Sequence, residues 1–316
     1  MNTGKPTDTG GHEVHTDPSA IADLVAVAEG QRNVAGADGA VISYRADRTL
    51  RLGVELRRQS RRRRTQLTLG FLVLLPVLLL TAFKLAPNQG TQRSGAFVDL
   101  ATSSGLNFAV FTLFATTTFL LVVVVALFFG DTVASEASWS SLKYLLAVPV
   151  PRARLLRQKA LVSGLLALSA LVVLPVVALG VGLLWYGRGD LVSTTGEAMP
   201  FATGVVRLGL VVGYLAISLL WVAGLGLALS VSTNAPLGAV GGAVLASILS
   251  QILDSITALG DLRDYLPTHY ALAWSDLLGA EIDWGDMVRG AFSSLAFAAV
   301  FTALAFRWFA TKDITS

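Results

Sequence analysis

The chain has 316 residues, of which 53% are hydrophobic and only 14% charged, and its mean hydropathy is +0.64. Soluble domains carry about 25% charged residues, so this composition excludes an ordinary water-soluble enzyme and reads as a polytopic membrane protein. The absence of cysteine removes disulfides and thiol chemistry, and a net charge of +3 matters less for its size than for its distribution, which sets membrane orientation.

Residues 1–48 are rich in Gly, Asp, Thr and Ala without apolar periodicity, and are expected to form a disordered tail ahead of a membrane domain at 49–316. Within the tail, His12-Glu13-Val14-His15 mimics a zinc-protease helix. That chemistry needs two histidines four residues apart on one helical face, and here the spacing is three in a polar, Gly-flanked stretch. No cleavable signal peptide is expected, since the first apolar run begins only near Leu67.

From Thr49 to Gln66 the chain turns basic, with Arg57, Arg58, Arg61, Arg62, Arg63 and Arg64 just before the first span. Leu50, Val54 and Leu56 fall towards one side, which predicts a short helix along the inner membrane surface, its arginines fixing topology and meeting anionic lipid head groups. Without interleaved aromatics this is not a nucleic-acid arm.

A bilayer core of about 30 Å takes roughly 20 apolar residues of helix. On that measure Leu67 to Ala86, Asn107 to Phe129 and Ala160 to Trp185 are the first three spans, with Pro76 and Pro175 as kink sites and Lys84 placed to snorkel. No charge occurs from Leu208 to Leu253, a run far too long for one crossing. It must divide at Ser232-Thr233-Asn234-Ala235-Pro236, where cap-type residues precede a proline suited to a first helical turn. Gly290 to Phe306 is the sixth span. Small residues four apart, Gly209 with Gly213 and Gly238 with Gly242, predict close helix approach.

Six spans put both termini on one side. Eighteen of the 24 basic residues then fall on that side and six on the other, Lys84, Arg93, Arg188, Arg207, Arg263 and Arg289, so both termini and the 130–159 segment are expected to be cytoplasmic. Of the outer segments, Tyr186 to Val205 carries Arg188-Gly189-Asp190, a tripeptide used by adhesion ligands but without weight in a Gly-rich loop. Thr257 to Met287 mixes six acids with Tyr265, Leu266, Tyr270, Trp274 and Trp284. That mixture predicts short amphipathic helices resting in the outer interface, either as plain anchors or as a gate.

No phosphate-cradling G-x-x-x-x-G-K-[ST], no H-E-x-x-H and no G-x-S-x-G is present; His269 stands alone in an outer loop, and Asp254 is the one ionisable group near membrane depth. An internal energy source is therefore not expected. Charge and small polar residues gather instead between Gly130 and Lys159, where Trp139, Leu142, Leu145 and Leu146 form an apolar stripe, Glu136, Trp139 and Lys143 share a helical side, and Pro149 and Pro151 stop the helix. Such a helix either docks a soluble partner or simply links two spans.

The run Glu136, Ser140-Ser141-Leu142-Lys143-Tyr144-Leu145-Leu146, Pro149-Val150-Pro151-Arg152, Leu155 and Lys159 resembles the signature of the type-two (ABC-2) family of ATP-binding-cassette export permeases, with serines where Gly-Thr is usual. The basic lead-in, the outer Tyr265-Leu266-Pro267 and the closing Phe309, Lys312-Asp313-Ile314 are similar to actinobacterial members. The resemblance implies an all-α, six-span permease of a bacterial cell membrane, paired with a second copy or a related permease. Two separate ATPase subunits would bind the ATP and Mg, and this chain no cofactor, metal or nucleic acid. It also implies a coupling helix in Thr132 to Val148 seated in the ATPase, with Glu136, Trp139, Ser140, Leu142, Lys143, Tyr144, Leu145, Leu146, Pro149, Arg152, Leu155 and Lys159 as the docking set. The helix at 50–64 would be a membrane-surface elbow, and 257–287 the gate helices, with Tyr265, Leu266, Pro267, Tyr270 and Trp274. The implied activity is export of a hydrophobic or amphipathic drug, lipid or peptide; the alternatives are an ATP-independent carrier or a scaffold, and a membrane enzyme lacks the residues.

Overall fold

The computed structural model describes residues 52–85, 95–138, 151–193, 196–279 and 281–311. The expected tail lies outside the described residues, as do Trp139, Ser140, Leu142, Lys143, Tyr144, Leu145, Leu146 and Pro149 of the docking set and the closing Lys312 to Ile314. All described residues except Pro151 belong to one compact unit.

In chain order, α1 is Leu52–Ser60, α2 Arg63–Leu85, α3 Gly95–Thr102, α4 Gly105–Thr117, α5 Leu120–Ser138 and α6 Arg152–Tyr186. Two short strands follow, β1 Leu191–Val192 and β2 Ala198–Met199, and then α7 Phe201–Ser218, α8 Leu220–Ser232, α9 Pro236–Ser255, 3-10 helices at Thr257–Tyr265 and Ala273–Leu278, and α10 Gly285–Thr311. Among the described residues six helical stretches are long and apolar enough to cross a membrane: α2, α5, α6, α7 with α8, α9 and α10. The fold is all-α apart from the antiparallel β1–β2 hairpin, which pairs Leu191 with Met199 and Val192 with Ala198 in the loop after α6.

Local chemistry explains the boundaries. Pro236 opens α9 at a position where its missing N–H would be unpaired anyway, which is the division expected of the long charge-free run. Ser104 caps α4 by accepting from the Asn107 amide at 3.2 Å. Gly187, at φ +79°, takes the left-handed turn that ends α6. At 35 residues α6 is about 52 Å long and overshoots the hydrocarbon core, so the helix itself begins eight residues before the span expected from Ala160, with its charged first turns, Arg152 to Lys159, outside the core.

Two spans are interrupted where continuous helices were expected. The second crossing breaks at Thr118 and Phe119 between α4 and α5. Thr112, Thr116 and Thr117 there turn their hydroxyls back onto carbonyls four residues earlier, at 2.7 to 2.9 Å, a habit that bends helices. The fourth crossing breaks at Leu219 (φ −91°, ψ 1°) between α7 and α8. Here the Ser294 hydroxyl of α10 sits in the helical ladder, 2.9 Å from the Ile217 carbonyl and 3.2 Å from the Trp221 amide that would otherwise bond to it.

The core forms around α5, which is buried along most of its length and packs on α6, α8 and α9; α8 in turn lies along α10. With no water to compete, serines join the helices by reaching the backbone of their neighbours. Ser163 donates to the Phe128 carbonyl at 2.9 Å, and Ser230 accepts from the Val133 and Ala134 amides at 2.9 and 3.0 Å. Among the described residues the tightest backbone-to-backbone approach of two helices is between α4 and α6, where a Cβ on Gly105 would stand 2.6 Å from the Leu183 nitrogen and one on Gly182 2.9 Å from the Gly105 Cα. The glycine pairs expected to do this do not: Gly209 and Gly213 face open space, and Gly242 meets only the Leu229 side chain. Gly209 and Gly213 lie on a helix surface that no other described element covers, while Gly242 faces α8.

Candidate functional site

The charged groups sort to the two ends of the bundle. At the basic end, α1 and the start of α2 bring a row of arginines against two carboxylates on α5. Arg58 donates to Glu136 Oε1 at 2.6 Å and to Glu55 Oε1 at 2.9 Å. Arg64 pairs with Asp131, and Arg62 lies 3.6 Å from the same carboxylate and 3.5 Å from the Ser135 hydroxyl. From α6, Lys159 reaches Glu136 Oε2 at 2.6 Å and approaches Glu55 at 3.8 Å. Glu136 and Lys159 are 4% and 2% exposed, so their charges are tolerable only because they face each other.

This cluster locks four elements, α1, α2, α5 and α6. Burial alone would raise the Glu55 carboxyl, but Lys159 and Arg58 outweigh it and hold Glu55 below its ordinary value. Arg58 is desolvated in part, yet Glu55 and Glu136 keep it more firmly protonated than usual. Arg62 moves the other way, lowered by burial and by the neighbouring Arg64 and Arg58.

The six arginines therefore divide. Arg57, Arg61 and Arg63 are exposed, while Arg58, Arg62 and Arg64 pair with acids on α5, a use that the reading as topology markers and lipid contacts did not include. Of the docking set, Glu136 and Lys159 are turned into the chain and paired, Leu155 is buried, and Arg152 donates to the Ala310 carbonyl at 2.9 Å. Neither Glu55 nor Asp131 belongs to the docking set expected from sequence. The signal was available: acids at the edge of an apolar span need a cation, and a run of arginines lies at the same membrane level.

At the opposite end, the segment expected to rest on the interface is inserted into the bundle in its second part only, since no residue of Thr257–Tyr265 is buried. Trp274 and Leu277 are fully buried, and Trp274 packs on Phe114 of α4 with ring centroids 4.3 Å apart. Arg207 on α7 donates to the Leu277 carbonyl at 2.7 Å and to that of Gly279, and Tyr214 donates to the Tyr270 carbonyl at 3.1 Å. Tyr270 is buried, Leu266 and Pro267 are half-buried, and Tyr265 is exposed. His269 is not alone. Its Nδ1 lies 2.5 Å from Asp254 Oδ1 and its Nε2 3.4 Å from Asp264, tying the 3-10 segment to the end of α9. The hairpin docks similarly, since the Asn107 amide both donates to and accepts from the Val192 backbone at 3.1 and 3.0 Å. Lys84, expected to snorkel, lies over the Trp185 ring 3.1 Å from its centroid.

No group of three or more His, Cys, Asp or Glu suited to a metal occurs among the described residues. A cavity of about 60 Å³ lies between α3, α4 and the hairpin, and one of about 20 Å³ at the helix breaks.

Six apolar helical stretches, with ion pairs at one end and an inserted aromatic segment at the other, define a multi-pass membrane protein. The chain belongs to the ABC-2 family of transporters: the family described as ABC-2 family transporter protein matches residues 52–248, well over half of its length. The match runs from α1 into α9 and so includes the whole ion-paired cluster. No curated protein and no solved structure matches the chain.

Proposed function

We propose that this chain is the membrane-spanning permease subunit of an ABC exporter, moving a hydrophobic or amphipathic drug, lipid or peptide outward with energy from ATP hydrolysed by separate subunits. The observation that carries this reading is the family match across 52–248 in a chain that has no phosphate-cradling loop of its own. Two ATPase subunits, holding ATP and Mg, would serve a pair of permeases made of this chain with a second copy or a relative. The basic end is the cytoplasmic one, by the excess of Lys and Arg there. The motor grips residues 139–150 together with Arg152. Glu136, in the last turn of α5, and Lys159, two turns into α6, hold the base of that segment rigid so that a push on it reaches α5, α6 and α1 together. Arg57 on the elbow α1, Arg61 just after it and Arg63 at the start of α2 meet lipid head groups. The 3-10 segment with Tyr265, Leu266, Pro267, Tyr270 and Trp274 is the outer gate.

The test is reconstitution in proteoliposomes with the ATPase co-expressed from the neighbouring gene. Leu142→Asp or Leu145→Asp should abolish ATP-dependent transport while leaving membrane insertion intact. Unchanged coupling in both variants rejects the docking assignment, and absence of any ATPase from a mild-detergent pull-down favours an ATP-independent carrier or scaffold.

A further inference from the structure

The two helix breaks meet. Thr117, Thr118 and Val122 at one, and Ser218, Leu219 and Trp221 at the other, line a single cavity of about 20 Å³, together with Ser247 and Gln251 of α9 and Pro267, Thr268 and Ala271 of the 3-10 segment. Interrupted backbone at membrane depth is tolerable only where protein groups complete its hydrogen bonds. Each break here is completed from a different helix. Gln251 donates to the Thr118 carbonyl at 2.8 Å, and Ser294 spans the opened Ile217 to Trp221 step.

The contacts of the end segment are divided by the same breaks. Every anchor it makes to the second and fourth crossings falls on the far halves: Phe114 of α4 on Trp274, Arg207 of α7 on the Leu277 and Gly279 carbonyls, and Tyr214 of α7 on Tyr270. The near halves, α5 and α8, are instead bound to each other through Ser230 and to α6 and α10. Close packing of α4 on α6 at Gly105 and Gly182 would resist movement of α4 alone, but Pro175 leaves the Leu171 carbonyl of α6 without its amide, so the far part of α6 can bend with it.

We propose that α4, α7 and residues 270–279 form one body that tilts about Thr118–Phe119 and Leu219, while residues 257–269 stay with α9 through Thr268 on Ser250 and His269 on Asp254, with Gln251 and Ser294 as the latches that set its angle, and that this tilt opens the far end to release cargo. The release step rests on the exporter reading; the hinge does not.

The chain has no cysteine, so a pair of introduced labels is unambiguous. Val206→Cys on α7 and Val300→Cys on α10 are both exposed and lie on opposite sides of the Leu219 break. Spin labels on this pair, in lipid nanodiscs without ATPase or cargo, report the angle directly. Ser294→Ala lets the Ile217 carbonyl and Trp221 amide rejoin, and removing a bend of about 20° over the roughly 20 Å from Leu219 to Val206 moves the label by about 7 Å. Gln251→Leu, which frees the other break, should broaden the distribution, and Ser294→Thr, which keeps the hydroxyl, should restore the wild-type distance. Distributions for Ser294→Ala and Gln251→Leu that superimpose on wild type overturn the hinge. A shifted distance with wild-type transport rates overturns its role in release. A shifted distance in a protein whose wild type shows no ATP-dependent transport supports the hinge and removes the exporter reading instead.

Discussion

Replacing Glu136 with Gln tests whether the ion-paired base is a buried structural unit. The side chain keeps its shape but loses the charge that faces Lys159 Nζ and Arg58, both at 2.6 Å. At a charge separation of about 4 Å and an effective dielectric near 20, each such pairing is worth about 4 kcal/mol before desolvation is subtracted. Arg58 is half-exposed and can recover solvation, so its share is largely returned. Lys159 cannot, because it is 2% exposed and keeps only Glu55, at 3.8 Å. The expected loss is therefore about 3 to 5 kcal/mol, the range for orphaning one member of a buried pair. Lys159→Met should cost a similar amount. The double variant should cost less than the two together, by up to about 3 kcal/mol, since it leaves no charge stranded. Equilibrium unfolding in mixed micelles, followed by tryptophan fluorescence, measures all three. Single-variant losses that add to within about 0.5 kcal/mol, or that vanish in high salt, would refute a buried coupled pair.

Three other outcomes are expected. Trp274→Ala empties a fully buried site beside Phe114 and should cost about 3 to 5 kcal/mol in the same unfolding assay, while Arg207→Ala should speed hydrogen exchange across Ala273–Leu278 by unpinning the Leu277 and Gly279 carbonyls. Gly105→Ala should destabilise by about 1 to 3 kcal/mol because its Cβ meets Leu183 backbone, whereas Gly209→Ala, facing open space in a helix, should be neutral or stabilising by up to about 1 kcal/mol. Because Glu55 is held below its ordinary value of 4.5, its contribution to the attachment of α1 is complete above that pH and lost as pH falls through its folded value; cross-linking of α1 to α6 across an acid titration should stay level down to about 4.5 and drop below it.

Much of the architecture follows from charge-free lengths alone, because hydrocarbon imposes a length on every crossing. The division before Pro236 was legible for a second reason: proline dictates where a helix can start. The breaks at Thr118 and Leu219 were not. A triple threonine inside an apolar span is a signal, but the agent at Leu219 is a serine on another helix, more than seventy residues later, and no local pattern reports that. The site shows the same split. Arginines before a first span are readable as a group, yet which of them find acids depends on how α1 turns against α5, so Arg58, Arg62 and Arg64 could not be separated from Arg57, Arg61 and Arg63 by spacing. The aromatic outer segment matched an interfacial composition equally well whether it lay on the bundle or in it; the carbonyls held by Arg207 decide for insertion.

The Ser294 hydroxyl in the α7–α8 ladder has a genetic corollary. In water a broken helical step can be healed by any passing solvent molecule, so its position drifts with the sequence of the helix itself. Here the substitute for solvent is encoded once, on α10. Variation at position 294 would alter the shape of a different helix, and variation near Leu219 would be tolerated or not according to what stands at 294. Selection experiments on this protein should therefore recover the two positions as an epistatic pair, with suppressors of one arising at the other.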